Sequence, residues 1–265
     1  MDETRKLDGK VAIVTGAGSQ GPGWGTGKAS SVLFAREGAK VVLVDVEEER
    51  AKETLRLIED EGGEATIVTA DLAVAASAQE VVDEAVSRYG TVDVLVNNAA
   101  ISATTSLLDT TQELYDTVLA VNLTAPFMLS KAAIPVMVEG GGGSIVNISS
   151  VASMRGTGGN GQAAYAASKA GLMGLTIDVA DVYGKQGIRI NCIAPGIITT
   201  PMRDNAMRQA GLDPTTMDLS FKTSVGFEGD AWDIARAALF LGGPDGRYIT
   251  GVMLPVDGGA VARSH

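Results

Sequence analysis

One cysteine and one histidine in 265 residues each remove a class of chemistry. A single thiol excludes an intrachain disulfide. Cys192 lies in the apolar run I-R-I-N-C-I-A, where it is expected to be a small buried filler. The histidine is His265, the last residue, expected to be disordered. Histidine-dependent triads are therefore excluded, and no metal centre is expected. Basic residues are scarce: 21 Lys and Arg against 32 Asp and Glu give a net charge of −11 and a pI near 4.6. Nucleic-acid partners need a basic surface, so none is expected. The start, M-D-E-T-R-K-L-D-G-K, lacks a signal peptide's apolar stretch, and no apolar run looks long enough to span a bilayer. A soluble, cytoplasmic protein follows as the expectation. Proton transfer is left to Tyr, Lys and carboxylates.

What the chain has instead is 45% hydrophobic residues, enough for one large α/β domain over 1–265. Short β-branched runs fall at 11–15, 41–45, 65–70, 92–96, 144–149, 189–194 and 252–256, with helical patterns between them. Continuous apolar strands alternating with helices predict a doubly wound parallel sheet, a Rossmann-type α/β/α sandwich. Charged amphipathic helices are expected over 48–61 and 78–89. A long one is expected over 112–138, where Pro126 and Pro135 should bend or end it. Gly140 to Gly143 forms a turn into the fifth strand. The stretch 201–227 is rich in Met and polar residues with weak periodicity, as a lid over a binding site would be.

Tyr165 and Lys169, in Y-A-A-S-K, stand one helical turn apart with Ser150 upstream in N-I-S-S. A phenol and an ammonium on one helix face can move a proton on and off an oxygen. A unit charge ~4 Å away at an effective dielectric of ~20 contributes about 4 kcal/mol, roughly three pKa units. Lys169 should thus bring Tyr165, which would ionise near pH ~10 alone, close to working pH. At the other end of the chain, Thr15 to Lys28 reads T-G-A-G-S-Q-G-P-G-W-G-T-G-K between the first strand and a helix starting near Thr26. Such glycines let a backbone turn tightly against a pyrophosphate at a helix N-terminus. Asp45 ends the second strand 18 residues past Gly27, where its carboxylate can accept both ribose hydroxyls of an adenosine. No Arg or Lys lies between Val41 and Glu49, so a 2′-phosphate would meet repulsion of ~2–4 kcal/mol, which favours NAD over NADP by tens to hundreds of fold. Asp71 and Leu72 close the third strand near the adenine edge.

These features resemble the classical short-chain dehydrogenase/reductase family over about Asp8 to Gly259. The motifs occur in order: the T-G start of the glycine loop, N-N-A-A over Asn97 to Ala100, Asn122 in V-N-L, Ser150, Tyr165 and Lys169, P-G-I-I-T-T over Pro195 to Thr200, and a terminal V-D-G-G. The resemblance implies a tetrad of Asn122, Ser150, Tyr165 and Lys169. In it Tyr165 is the general acid or base, Ser150 orients the substrate oxygen, Lys169 also binds the nicotinamide ribose and Asn122 anchors a relay water. It implies NAD contacts along Gly16, Gly25, Gly27, Asp45, Asp71, Leu72, Asn98, Ala99, Pro195, Gly196, Ile198 and Thr200. A homotetramer through the helices near 112–138 and 163–183 is also implied. Three departures stand out. The glycine loop carries about five extra residues, including Pro22 and Trp24, which leaves open which glycines meet phosphate. Ala100 replaces a glycine. Ser150 and Tyr165 are two residues further apart than is typical, so Arg155 to Gln162 should bulge.

The expected activity is NAD-dependent interconversion of a secondary alcohol and a ketone. The alternatives are an NADP(H)-dependent ketone reductase, a non-catalytic NAD-binding regulator, and an extended-family epimerase or dehydratase. Only about 70 residues follow the sixth strand, which disfavours the last. The substrate wall should comprise Ala152, Met154, Arg155, Gln162, Gly196, Met202 and the lid to Phe227, and Arg155 or Arg203 could pair with a substrate anion.

Overall fold

The computed structural model describes residues 5–156, 161–209 and 211–263. His265 and the middle of the expected bulge after Ser150 lie outside them. Strands β1 (Val11–Thr15), β2 (Lys40–Asp45), β3 (Glu64–Thr69), β4 (Val94–Asn97), β5 (Gly143–Ile148), β6 (Ile188–Pro195) and β9 (Met253–Val256) form one sheet ordered β3-β2-β1-β4-β5-β6-β9. All its pairings are parallel. A two-residue pairing joins β7 (Ile198–Thr199) to β8 (Gly229–Asp230).

The central strands are mainly apolar because both faces are covered, while the edge strand β3 is only partly buried. Val11 to Thr15 is wholly buried. On one face, α1 (Thr26–Arg36), α2 (Glu48–Asp60) and α8 (Ala231–Gly242) bring Val32, Phe34, Ile58 and Ile234 to the core. On the other, α3 (Ser77–Tyr89), α5 (Ala125–Glu139) and α6 (Ala163–Tyr183) contribute Val81, Leu129, Met137 and Val179. The expected doubly wound sandwich is what forms. Strand order reverses between β1 and β4, which opens a crevice at the carboxyl ends of the strands.

Of the expected bend or end at the prolines, the end does not occur in the long helix, and a second expectation fails there. Neither proline ends it: α4 (Gln112–Leu119) passes through a π turn (Ala120–Thr124) into α5, with Pro126 in its first turn and Pro135 inside it. Pro126 lies just after the π turn, where the regular α-helical hydrogen-bond ladder is already interrupted. The continuous helix Gln112–Glu139 is also long and apolar enough to cross a membrane, against the expectation that no run is. Its apolar content has a place in the fold, since Leu129, Ala133 and Met137 are buried against the sheet and α3.

The stretch expected to lack strong structure contains α7 (Pro201–Gln209) and a short turn at Ser220–Lys222. Pro201 opens α7, and the Thr200 hydroxyl accepts the Arg203 N–H at 3.3 Å.

Candidate active site

A cavity of about 760 Å³ follows the crevice from Asp45 and Leu72 at one end to Met202 and Leu219 at the other. Its first half is built from backbone. Gly16 takes φ +62°, and a Cβ on Gly27 would lie 1.9 Å from the Gly16 carbonyl oxygen. A Cβ on Gly18 would lie 2.5 Å from the Arg50 Cβ and 2.6 Å from its carbonyl carbon. These three glycines are therefore fixed by space or by backbone angle. Asn98 stitches the loop down: its amide donates to the carbonyls of Thr15 (2.8 Å) and Gly16 (3.1 Å), and its oxygen accepts from the Thr26 hydroxyl (2.6 Å). Gly25 precedes α1 with no side-chain cap, so the first N–H groups of an eleven-residue helix open on the cavity, as an anion seat requires. The buried Asp45 carboxylate accepts the Gly18 N–H at 3.0 Å and the Glu47 N–H at 3.2 Å. Each oxygen keeps a second lone pair. The residues fit a dinucleotide: an uncapped helix end for a pyrophosphate and a strand-end carboxylate for a ribose.

In the middle, Ser150 follows β5, while Tyr165 and Lys169 lie on one face of α6. All three line the cavity. Lys169 is 2% exposed, and its Nζ donates to the Ile148 carbonyl at 2.7 Å and lies 5.8 Å from the Tyr165 ring centroid. Burial lowers the Lys169 ammonium to about 8. Burial also raises the Tyr165 phenol above its ordinary value, and a hydrogen bond with Ser150 offsets part of that. This corrects the expectation that Lys169 brings Tyr165 toward neutrality. The loss of hydration on burial opposes the ionised phenol, and the Lys169 ammonium is itself engaged by the Ile148 carbonyl.

Asn122 does not reach the cavity wall. It sits fully buried in the π turn, with its oxygen accepting the Ile101 N–H (2.9 Å) and its amide donating to the Ile101 carbonyl (3.0 Å) and the Ser168 hydroxyl (3.2 Å). The wider turn bulges the helix at this asparagine. Of the expected cofactor residues, Gly16, Gly25, Gly27, Asp45, Asp71, Leu72, Asn98 and Ala99 line one stretch of wall, and Pro195, Gly196, Ile198 and Thr200 another.

The expected substrate wall is only half right. Gln162, Gly196 and the lid from Pro201 and Met202 as far as Leu219 line the cavity, but Ala152, Met154, Arg155 and the lid's end at Phe227 do not. After Ser150 the chain winds into a tight turn, Val151–Ser153, in which the Ala152 N–H donates to the Ser150 hydroxyl and buries Ala152. Arg155 turns away to the Ala260 carbonyl. Arg203 lines the cavity, but its guanidinium is taken by Glu228 (2.9 Å) and Asp204 (3.3 Å). Two groups went unnoticed in the sequence. Arg50, paired with Glu47, lines the cavity beside Asp45. It lies one residue beyond the stretch Val41 to Glu49 that lacks positive charge, in the first turn of the helix after Asp45. Thr117 and Val121 reach the wall only because the topology brings α4 across the crevice.

The family described as "Enoyl-(Acyl carrier protein) reductase" matches residues 21–261. The chain is 39% identical over 254 residues to 2,5-dichloro-2,5-cyclohexadiene-1,4-diol dehydrogenase LinX of Sphingobium indicum, covering 96% of this chain and 97% of the relative. It is 35% identical over 267 residues to levodione reductase of Leifsonia aquatica, covering 98% and 97%. Carveol dehydrogenase from Mycobacterium avium, solved in complex with NAD, superposes with a TM-score of 0.90 at 29% identity, covering 98% of this chain and 100% of that one. With the sheet, the crevice and the ordered motifs, these likenesses show that the chain belongs to the short-chain dehydrogenase/reductase family of nicotinamide-dependent oxidoreductases.

Proposed function

We propose that the protein is an NAD-dependent oxidoreductase interconverting a secondary alcohol and a ketone. The observation that carries this is the meeting of Ser150, Tyr165 and Lys169 on one wall of a cavity whose other end is the Asp45 and glycine-loop seat. The cofactor, when bound, supplies or takes the hydride. Ser150 and Tyr165 hold the substrate oxygen by hydrogen bonds. In ketone reduction the Tyr165 phenol gives its proton to the oxygen as negative charge develops there. Lys169 supplies positive charge beside that transfer and reaches the nicotinamide ribose. Asn122 is the outer member of the relay and acts through the groups it holds rather than on the substrate. Because burial raises the phenol, it keeps its proton at neutral pH. Reduction is thus served near neutrality, where the phenol holds its proton and Lys169, at about 8, still carries its charge.

Asp45 in the cavity wall, with Glu47, Glu48 and Glu49 following it in the chain, supports NAD, while Arg50 in the same wall supports NADP(H) as the second reading. The Arg50–Glu47 ion pair favours the first, since the guanidinium is already engaged. For the substrate, Met202, Met207, Leu212 and Leu219 make the far end apolar, and both arginines that could have met an anion have partners inside the protein. A neutral, ring-sized alcohol fits, in keeping with LinX, whose name gives a cyclohexadiene diol. Phe127, Ile177 and Val182 are exposed on α5 and α6, which supports the homotetramer through those helices, and light scattering that gives a monomer would remove it.

The test is a coupled assay over cyclic alcohols, diols and ketones with both cofactors. Wild-type turnover with NAD(H), kcat/KM tens of fold above that with NADP(H), and a loss of about 10³-fold in Tyr165→Phe are expected. Equal kcat/KM for the two cofactors would overturn the NAD assignment, and wild-type turnover in Tyr165→Phe would overturn the mechanism.

A further inference from the structure

The extra residues of the glycine loop are pinned at both ends. At the first, the Gly18 N–H is held by Asp45. At the second, Trp24 packs on Trp232 with ring centroids 4.7 Å apart. Lys28, 3% exposed, lies over the same ring at 4.8 Å, pairs with Glu53 at 2.8 Å and donates to the Gly23 carbonyl at 3.3 Å. Between the pins, residues 19–23 reach across to α7. The Asn205 side-chain amide donates to the Gln20 carbonyl at 3.1 Å. Pro201 lies 3.7 and 3.8 Å from where a Cβ would stand on Gly21 and Gly23. Ser19 and Gln20 line the cavity from one side, Pro201 and Met202 from the other. The cover beside the α1 N-terminus is therefore half glycine loop and half lid.

We infer that this contact is a latch over the pyrophosphate seat, with Asn205 and Pro201 as its opening half, and that the cofactor leaves only when it parts. The inference rests on reading the cavity as a nicotinamide dinucleotide site. The loop side is the fixed half, because the Trp24 packing and the Asp45 bond tie it to the sandwich. The lid side opens, because α7 is held by side-chain bonds to Gln20, Glu228 and the Met217 carbonyl. Asn205 is thus a positioning residue whose effect is on cofactor retention, the kind of step that limits turnover when release is slower than chemistry.

The experiment follows NADH leaving the full-length protein after a chase with excess NAD⁺, read by energy transfer from Trp24 and Trp232, the chain's only tryptophans. Asn205→Ala should release NADH about fivefold faster, the effect of one hydrogen bond, and adding Pro201→Ala should speed it further. Joining Gln20→Cys and Asn205→Cys with a short thiol crosslinker should slow release at least about tenfold, a change of opposite sign that general damage would not give. The one native thiol, Cys192, is buried and should not interfere. NADH release that is unchanged both in Asn205→Ala and after crosslinking overturns the latch and leaves the cofactor site standing. Absence of any NADH binding by the wild-type protein overturns both.

Discussion

The two ends of the cavity are held by different means. At the Asp45 end the wall is main chain: Gly16, Gly18 and Gly27 touch backbone, and Asn98 ties β1, β4 and α1 together through carbonyls and one hydroxyl. At the Leu219 end the wall depends on side chains. Glu228 accepts from Arg203, from the Leu219 N–H at 2.7 Å and from the Thr199 hydroxyl at 3.0 Å, gathering three segments around one carboxylate. A seat made of backbone has one shape and rejects added atoms. A lid made of side chains can be reshaped by single substitutions without touching the sheet, which is why the proposed function puts substrate choice at that end.

The largest expected effect breaks the rigid end. In Gly27→Ala the new methyl would lie 1.9 Å from the Gly16 carbonyl oxygen and 2.5 Å from the Asn98 amide, and neither can retreat without undoing the stitching. A loss of at least about 3 kcal/mol and of NADH binding is expected, read by chemical denaturation and fluorescence titration. Gly21→Ala is the control from the same loop. Its nearest neighbour would be Pro201 at 3.7 Å, an ordinary contact, and a change within about 0.5 kcal/mol is expected. Equal stability of the two variants would mean that the seat is not rigid.

The same contrast governs what could be read from the sequence. The sheet, the glycine loop and Asp45 were legible because strands buried on both faces leave continuous apolar runs and because glycines near a strand end have a backbone reason to be there. The substrate end was not. Separation from Ser150 along the chain says nothing about direction, so the tight turn that sends Arg155 to Ala260 and buries Ala152 left no trace in the pattern. The lid helix offered Thr200 and Pro201 as a start signal, but Pro201 and Met207 alone are buried in it, too few to mark a helix by periodicity. The raised Tyr165 was illegible for a different reason. Charge can be counted in a sequence, whereas the loss of hydration that opposes it is a property of the folded site.

Lys169, on α6 with its ammonium against the end of β5, sits where the two ends meet, and the cost of burying it can be measured through pH. Its value falls from 10.5 to about 8 on folding. Below about pH 8 both the folded and unfolded chains carry the proton, and the burial penalty is constant. Between about 8 and 10.5 the unfolded chain binds more protons, so stability rises with pH as the penalty is relieved. Wild type should therefore gain roughly 3 kcal/mol relative to Lys169→Met across that window. Denaturation midpoints of the two proteins at neutral and alkaline pH report it, and titrations of groups that do not interact with Lys169 cancel in the difference, which leaves the buried Cys192 thiol, coupled to Lys169, as the group to hold constant by Cys192→Ala in both proteins. Parallel curves would show that the ammonium is solvated and the site looser than its geometry.

The smallest expected effect tests the side-chain end. Glu228→Gln keeps the size and part of the hydrogen bonding but turns one acceptor into a donor and leaves Arg203 with Asp204 as its remaining carboxylate. The glutamate side chain is 14% exposed, so the charge-assisted bonds lost are largely shielded from water. Each such bond contributes about 1.5–3 kcal/mol in stability series, and the residual amide contacts offset part of it. A tenfold fall in substrate kcat/KM, about 1.4 kcal/mol, is the expected outcome. It should arise mainly in KM, because Ser150, Tyr165 and Lys169 are held by β5 and α6 rather than by the lid. An equal fall in kcat with KM unchanged would place Glu228 in the chemistry and erase the division between a fixed seat and an adjustable lid. A kcat/KM within about twofold of wild type would show that the lid does not depend on this carboxylate at all.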